Sequence, residues 1–146
     1  MNKILFVCHG NICRSPMAEF IMKDMVKKAG QEREFQIDSA ATSTEELGND
    51  IYYPAKRKLA EKGIPFSSRA ARQITPSDYN RYDMIIAMDQ RNLRYMARFF
   101  PSDPENKIST LLPRPVADPY YSGDFESTYS DIVEGVELLM KKFGHR

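Results

Sequence analysis

The chain has 146 residues, of which 42% are hydrophobic and 28% charged, ordinary globular usage that suggests neither a disordered chain nor a fibrous repeat and leads us to expect one domain over 1–146. A formal net charge of +1 argues against nucleic acid as a partner, while leaving room for a local basic cluster that holds a small anion. The opening "MNKILFVCHG" lacks the long apolar region of a secretory leader, and no apolar stretch reaches bilayer length, so we expect a soluble, cytoplasmic protein with no membrane partner.

Taken in chain order, "KILFV" at 3–7 is a short apolar run that ends in a Gly/Asn loop and reads as a buried strand. Pro16 suits a first helical position, with Ala18, Ile21, Met22, Met25 and Ala29 on one face and Gly30 as the stop. "EFQIDSA" at 34–40 alternates like a second strand, and a helical pattern runs from about Pro54 to Gly63. "YDMIIAMD" at 82–89 is a third strand, followed by a helix in which Leu93, Met96, Ala97 and Phe100 oppose Arg91, Arg94 and Arg98. "NKIST" at 106–110 offers a fourth strand, and Phe125, Tyr129, Ile132, Val133, Val136, Met140 and Phe143 form the apolar stripe of a C-terminal helix. Short apolar strands alternating with helices imply a doubly wound α/β fold: a four-stranded parallel sheet with helices on both faces. Ligands bind beyond the carboxyl ends of such strands, which is where Cys8, Ser39 and Asp89 fall.

The loop after the first strand, "CHGNICRSP", carries the chemistry. Its backbone N–H groups and the following helix N-terminus form a concave anion site, with Gly10 and Asn11 tolerating the positive φ that a tight cradle needs. Arg14 adds a planar fork for two phosphate oxygens, and the positive surroundings favour Cys8 as a thiolate aimed at phosphorus. An inert strand-end cysteine is the competing reading of Cys8. The loop lacks the lysine of a nucleotide-binding P-loop, which disfavours a nucleoside triphosphate. Cys8 and Cys13 are the two cysteines and have no Cys/His cluster near them, which argues against a disulfide scaffold and a zinc site.

"VCHGNICRSPMAE" closely resembles the signature loop of the low-molecular-weight protein tyrosine phosphatases, and "ADPYY" at 117–121 resembles their general-acid loop. "DSAATS" at 38–43, "ARQI" at 71–74 and "AMDQRNL" at 87–93 resemble further family segments in the same order. The resemblance implies a cysteinyl-phosphate mechanism without metal or cofactor, in which His9, Gly10, Asn11, Ile12, Cys13, Arg14 and Ser15 form the phosphate loop. In it Cys8 is the nucleophile, Arg14 the oxyanion clamp and Asp118 the general acid. Ser15 would stabilise the Cys8 thiolate, although its place also suits an ordinary helix-start serine. Asn11 and Ser39 would hold the strained loop, and Asp89 would support it or cap the next helix. Tyr120 and Tyr121 would wall a flat aryl phosphate, and the family's tyrosines there can themselves be phosphorylated. Cys13 would be a reversible disulfide partner of Cys8 or else a small core residue.

Two positions depart from the family. His9 stands where an apolar residue is usual and alters the pocket rim, and Glu45 stands near an aromatic position, weakening stacking and repelling acidic peptides. Arg69 and Arg72 are cations that would attract such peptides or sit in solvent, and His145 belongs to a frayed tail without a role. The expected ligands are a phosphotyrosine protein or peptide, and phosphate or oxyanion inhibitors. Rival readings are a protein arginine phosphatase, which tends to carry a small polar residue in place of Ile12, and a non-catalytic phosphopeptide-binding module. An arsenate reductase would need further cysteines, and the chain has none after Cys13.

Overall fold

In the computed structural model, which describes residues 1–143, strand β1 (Asn2–Cys8) takes the centre of the sheet because it alternates apolar side chains on both of its faces. Ile4, Phe6 and Cys8 face one layer of the core, and Leu5 and Val7 face the other. β2 (Phe35–Ala41), β3 (Met84–Ala87) and β4 (Ile108–Thr110) complete a parallel sheet of order β2-β1-β3-β4. The first face is covered by α1 (Arg14–Lys28), α2 (Tyr53–Glu61) and α6 (Phe125–Lys141), through Met17, Ile21, Leu59, Ile132 and Val136 among others. The second is covered by Ile74, Tyr82, Met96 and Phe100, with α3 (Asp78–Arg81) and α4 (Gln90–Met96) on that side. A further short helix, α5 (Pro119–Ser122), lies between β4 and α6.

Several boundaries differ from the sequence reading. Helix α1 opens at Arg14, so Pro16 is its third residue, where the absent N–H is still one of the first-turn donors that have no intrahelical partner. Every residue of α1 from Arg14 to Met22 is buried, whereas Ala29, placed on the buried stripe from periodicity, is exposed beyond the helix end. Ala97 is exposed as well, because α4 stops at Met96 and the chain tightens into a turn before Phe100 re-enters the core. The turns α3 and α5 are too short to leave a periodic signal. β3 is limited to four residues because Met88 and Asp89 leave the ladder to receive the side chain of Asn92. His145 lies outside the described residues. No helix among the described residues is long and apolar enough to cross a membrane.

The register sets the site. Cys8 lies opposite Ala41 and Phe6 opposite Ser39, while Val7 lies opposite Ala87, two residues before Asp89. The carboxyl ends of β2, β1 and β3 therefore meet at one edge.

Candidate active site

At that edge the Cys8 sulfur is nearly enclosed, with 4% of the residue exposed. Asn11 N–H and Ser15 N–H point at Sγ from 3.3 and 3.4 Å, and Ser15 Oγ lies 3.0 Å away. Asn11 turns the loop with φ +60°, a left-handed conformation that asparagine accepts. Its Nδ2 donates to Ser15 Oγ at 2.8 Å and to Ser39 Oγ at 2.9 Å. Because Asn11 occupies a lone pair of Ser15, the Ser15 hydroxyl proton is directed to Cys8, the Ala40 carbonyl at 3.5 Å being its only other acceptor among the described residues. Ser39 in turn donates to Glu19 at 2.6 Å, and Glu19 is paired with Lys23 at 2.5 Å. A polar chain thus runs from surface Lys23 through Glu19, Ser39, Asn11 and Ser15 to the sulfur. Among the described residues no protein acceptor takes the N–H of Ile12, Cys13 or Arg14.

Gly10 corrects one expectation. Positive φ in this loop belongs to Asn11 and not to Gly10, whose value is the close approach of Glu46, since a Cβ there would meet Glu46 Cγ at 3.3 Å.

Arg14, 4% exposed, is aimed rather than free. Nη1 donates to Asp89 Oδ2 at 2.8 Å and to the Val116 carbonyl at 3.1 Å, and Nη2 lies 3.5 Å from Asp118 Oδ2. Burial works against its charge, but Cys8, Asp89 and Asp118 outweigh burial and hold the guanidinium above its ordinary range. Burial likewise works against Asp89, and the hydrogen bonds from Asn92 N–H and Arg14 reverse it, keeping the carboxylate below its ordinary range. Asp89 performs both tasks considered for it: one oxygen holds Arg14 and the other caps α4 by accepting from Asn92 N–H at 2.8 Å. Asp118 caps α5 through Tyr120 N–H at 3.2 Å, with Pro119 directly after it. Cys13 is buried in the same loop as a free thiol, and burial followed by the neighbouring Cys8 pushes that thiol far up.

Arg69 and Arg72 do not serve as free cations. Arg69 donates to the carbonyls of Asn11 and Asn49, and burial pulls it below its ordinary range. Arg72 pairs with Asp78, which is wholly buried, at 3.1 and 3.2 Å, and its N–H donates to Asn11 Oδ1 at 3.3 Å. Both brace the loop from outside.

A cleft of about 190 Å³ opens above Cys8, with Arg14 and Cys13 deep in it and His9, Gly10, Ile12, Glu45, Glu46, Asp118, Tyr120 and Tyr121 around it. Glu45 contacts His9 through the ring Nε2, so the two family departures meet at the rim. Tyr120 and Tyr121 pack edge to face with centroids 5.1 Å apart, and Tyr121 is 87% exposed. Sequence reasoning missed Glu19, which ends the signature stretch but carried no role there, and Glu46, Asp78 and Tyr52, which come from segments without a motif. Among the described residues no group of three His, Cys, Asp or Glu is placed to hold a metal.

A parallel sheet that delivers a thiol into an amide-lined loop, facing a buried arginine and a carboxylate across a small cleft, defines the class of cysteine-dependent phosphate-ester hydrolases. The chain belongs to the low molecular weight phosphotyrosine protein phosphatase family, whose sequence profile matches residues 3–146. It is similar to the low molecular weight protein-tyrosine-phosphatase YfkJ of Bacillus subtilis, with 39% identity over 96% of this chain and 94% of that protein, and the YfkJ crystal structure superposes with a TM-score of 0.94 over 99% of this chain and 95% of that one. SP-PTP from Streptococcus pyogenes matches with a TM-score of 0.90 and 37% identity over 97% and 93% of the two chains. The drosophila arginine phosphatase DARP matches with 0.85 and 31% identity over 98% of each.

Proposed function

We propose that the chain, acting as one domain, hydrolyses phosphotyrosine in proteins or peptides through a cysteinyl-phosphate intermediate. The observation that carries this reading is the convergence of two backbone N–H groups and the Ser15 hydroxyl on Cys8 Sγ, with Arg14 and Asp118 across the same cleft. Cys8 Sγ attacks phosphorus, the P–O bond to the aryl group breaks, and the Asp118 carboxyl passes its proton to the departing oxygen. Water then attacks the phosphocysteine, Asp118 takes the water proton, and the S–P bond breaks to return a thiolate that the Ser15 hydroxyl stabilises. Arg14 and the loop amides hold the equatorial oxygens throughout. No step calls for a metal or an organic cofactor. Because Cys8 has to stay a thiol, a reducing, cytoplasmic compartment suits the reaction.

The arginine phosphatase reading is favoured by the likeness to DARP, and it keeps every step except the leaving group. Ile12 favours tyrosine, since a bulky apolar side chain lines the cleft and suits a flat ring. The test is turnover of a phosphotyrosine peptide and a phosphoarginine peptide, side by side with chelator present, by wild type and Cys8→Ser. Chelator-resistant, Cys8-dependent turnover favouring phosphotyrosine supports the proposal. A preference for phosphoarginine reassigns the substrate, and no turnover of either revives a phosphopeptide-binding module.

A further inference from the structure

Tyr52 belongs to no motif, yet it touches both halves of the site. Its backbone N–H donates to the Ile12 carbonyl at 2.9 Å, fixing it to the phosphate loop, and its carbonyl accepts from Ala55 and Lys56 as α2 begins. Its ring lies 5.5 Å from the Tyr120 ring and 6.4 Å from the Phe125 ring, without itself lining the cleft. Tyr120 N–H in turn holds Asp118 Oδ1. Helix α5, which carries Tyr120 and is capped by Asp118, is four residues long, buries Pro119 alone of its residues and ends at Gly123 with φ +74°; the chain is tied to α6 just before it, where Ala117 bonds Asp131 and Thr128, so the Tyr120 side of the turn depends on its ring contacts.

We propose that Tyr52 is a positioning residue that couples the Asp118–Tyr121 turn to the phosphate loop, setting the gap between the Cys8 sulfur and the Tyr120 wall into which an aryl phosphate fits. The inference rests on the phosphatase reading for its kinetic consequence, though not for the coupling. The ring supplies the contact: among the described residues no hydrogen bond involves the Tyr52 hydroxyl, so phenylalanine should replace it and alanine should not. Removing the ring frees the wall and the acid together, while Cys8, Arg14 and the loop amides keep their own bonds. Loss should therefore concentrate on substrates that need both wall and acid.

The experiment compares wild type, Tyr52→Ala and Tyr52→Phe by two readouts. With phosphotyrosine, whose leaving group is poor, Tyr52→Ala should lose roughly ten- to a hundredfold in kcat/KM, the scale of an active-site misplacement of about 1 Å. The loss with p-nitrophenyl phosphate, which departs without a proton, should be clearly smaller. Competition by inorganic phosphate should be unchanged in both variants, and Tyr52→Phe should follow wild type throughout. The second readout, amide hydrogen exchange over residues 117–123, should rise in Tyr52→Ala alone. Equal losses on both esters, a parallel loss of phosphate affinity, a Tyr52→Phe defect as large as that of Tyr52→Ala, or unchanged exchange would each overturn the assignment. Wild type without turnover, but with raised exchange in Tyr52→Ala, would instead overturn the phosphatase reading and leave the coupling standing.

Discussion

Replacing Asn11 by alanine tests the loop's internal bracing most directly. The side chain is 1% exposed, donates two hydrogen bonds, to Ser15 and Ser39, and accepts a third from Arg72 N–H, each worth about 1 kcal/mol net when its partner is left without it. Alanine must also hold φ near +60°, at a cost of about 1–2 kcal/mol. Together Asn11→Ala should lose about 4–5 kcal/mol, a large share of the ~5–15 kcal/mol that holds a domain together, yet leave folded protein to study. Urea unfolding gives the loss as a shift in midpoint at constant slope. A cycle with Ser39→Ala isolates the shared bond and should return a coupling of about 1 kcal/mol, because the two side chains touch. The loop should loosen as well, so that inorganic phosphate competes less well. A total loss below about 1 kcal/mol, or a coupling near zero, would show that the chain from Glu19 to Ser15 is incidental and would refute the bracing argument.

Gly135→Ala should destabilise by about 1–3 kcal/mol despite alanine's better helix propensity, because the new Cβ would sit 2.4 Å from Leu111 Cγ. Calorimetric Tm reads the loss, and Leu111→Ala should recover part of it in the double variant. Burial and then the hydrogen bond to Asp38 push the Tyr82 phenol from 10 up to about 12. A raised folded value means that Tyr82's contribution is intact below pH 10 and is lost as pH climbs to about 12. The slope of stability over that window should therefore shrink in Tyr82→Phe, and an unchanged slope would count against the shift. Both thiols are buried, but Cys13, which burial and the neighbouring Cys8 push far up, should resist iodoacetamide at neutral pH while Cys8, with its three donors, is alkylated, and equal labelling by peptide mass mapping would contradict this. Arg72→Ala should cost about 3 kcal/mol or less, since it strips a wholly buried carboxylate of a half-buried partner.

What the sequence by itself determined was local. Apolar runs of strand length alternating with helical stripes were enough for the parallel α/β sheet and for the placing of Cys8 at a strand end. The loop from His9 to Ser15 was legible because its chemistry is written in consecutive residues, whereas Asp118, by itself an ordinary turn residue, was legible only through the resemblance of its segment to the family's general-acid loop. Helix ends were less so: Ala29 and Ala97 continue an apolar period past the point where the backbone stops being helical, and periodicity does not register a stop made by tertiary packing.

Only the tertiary structure decided which charges meet. Arg69 and Arg72 look alike from sequence, as cations for an acidic peptide or for solvent, yet each is drawn into the loop's support, Arg69 by the Asn11 carbonyl 58 residues away and Arg72 by the buried Asp78 six residues on. Glu19 looks like a surface helix residue until the packing of α1 against β2 brings Ser39 within 2.6 Å of it. Tyr52 reads as the approach to a helix, and becomes part of the site because α5 folds back against it. Periodicity reports whether a single side chain is buried, whereas a pair depends on register and on how distant segments close. A motif can therefore name the reacting groups while the residues that hold them remain invisible until the chain is folded.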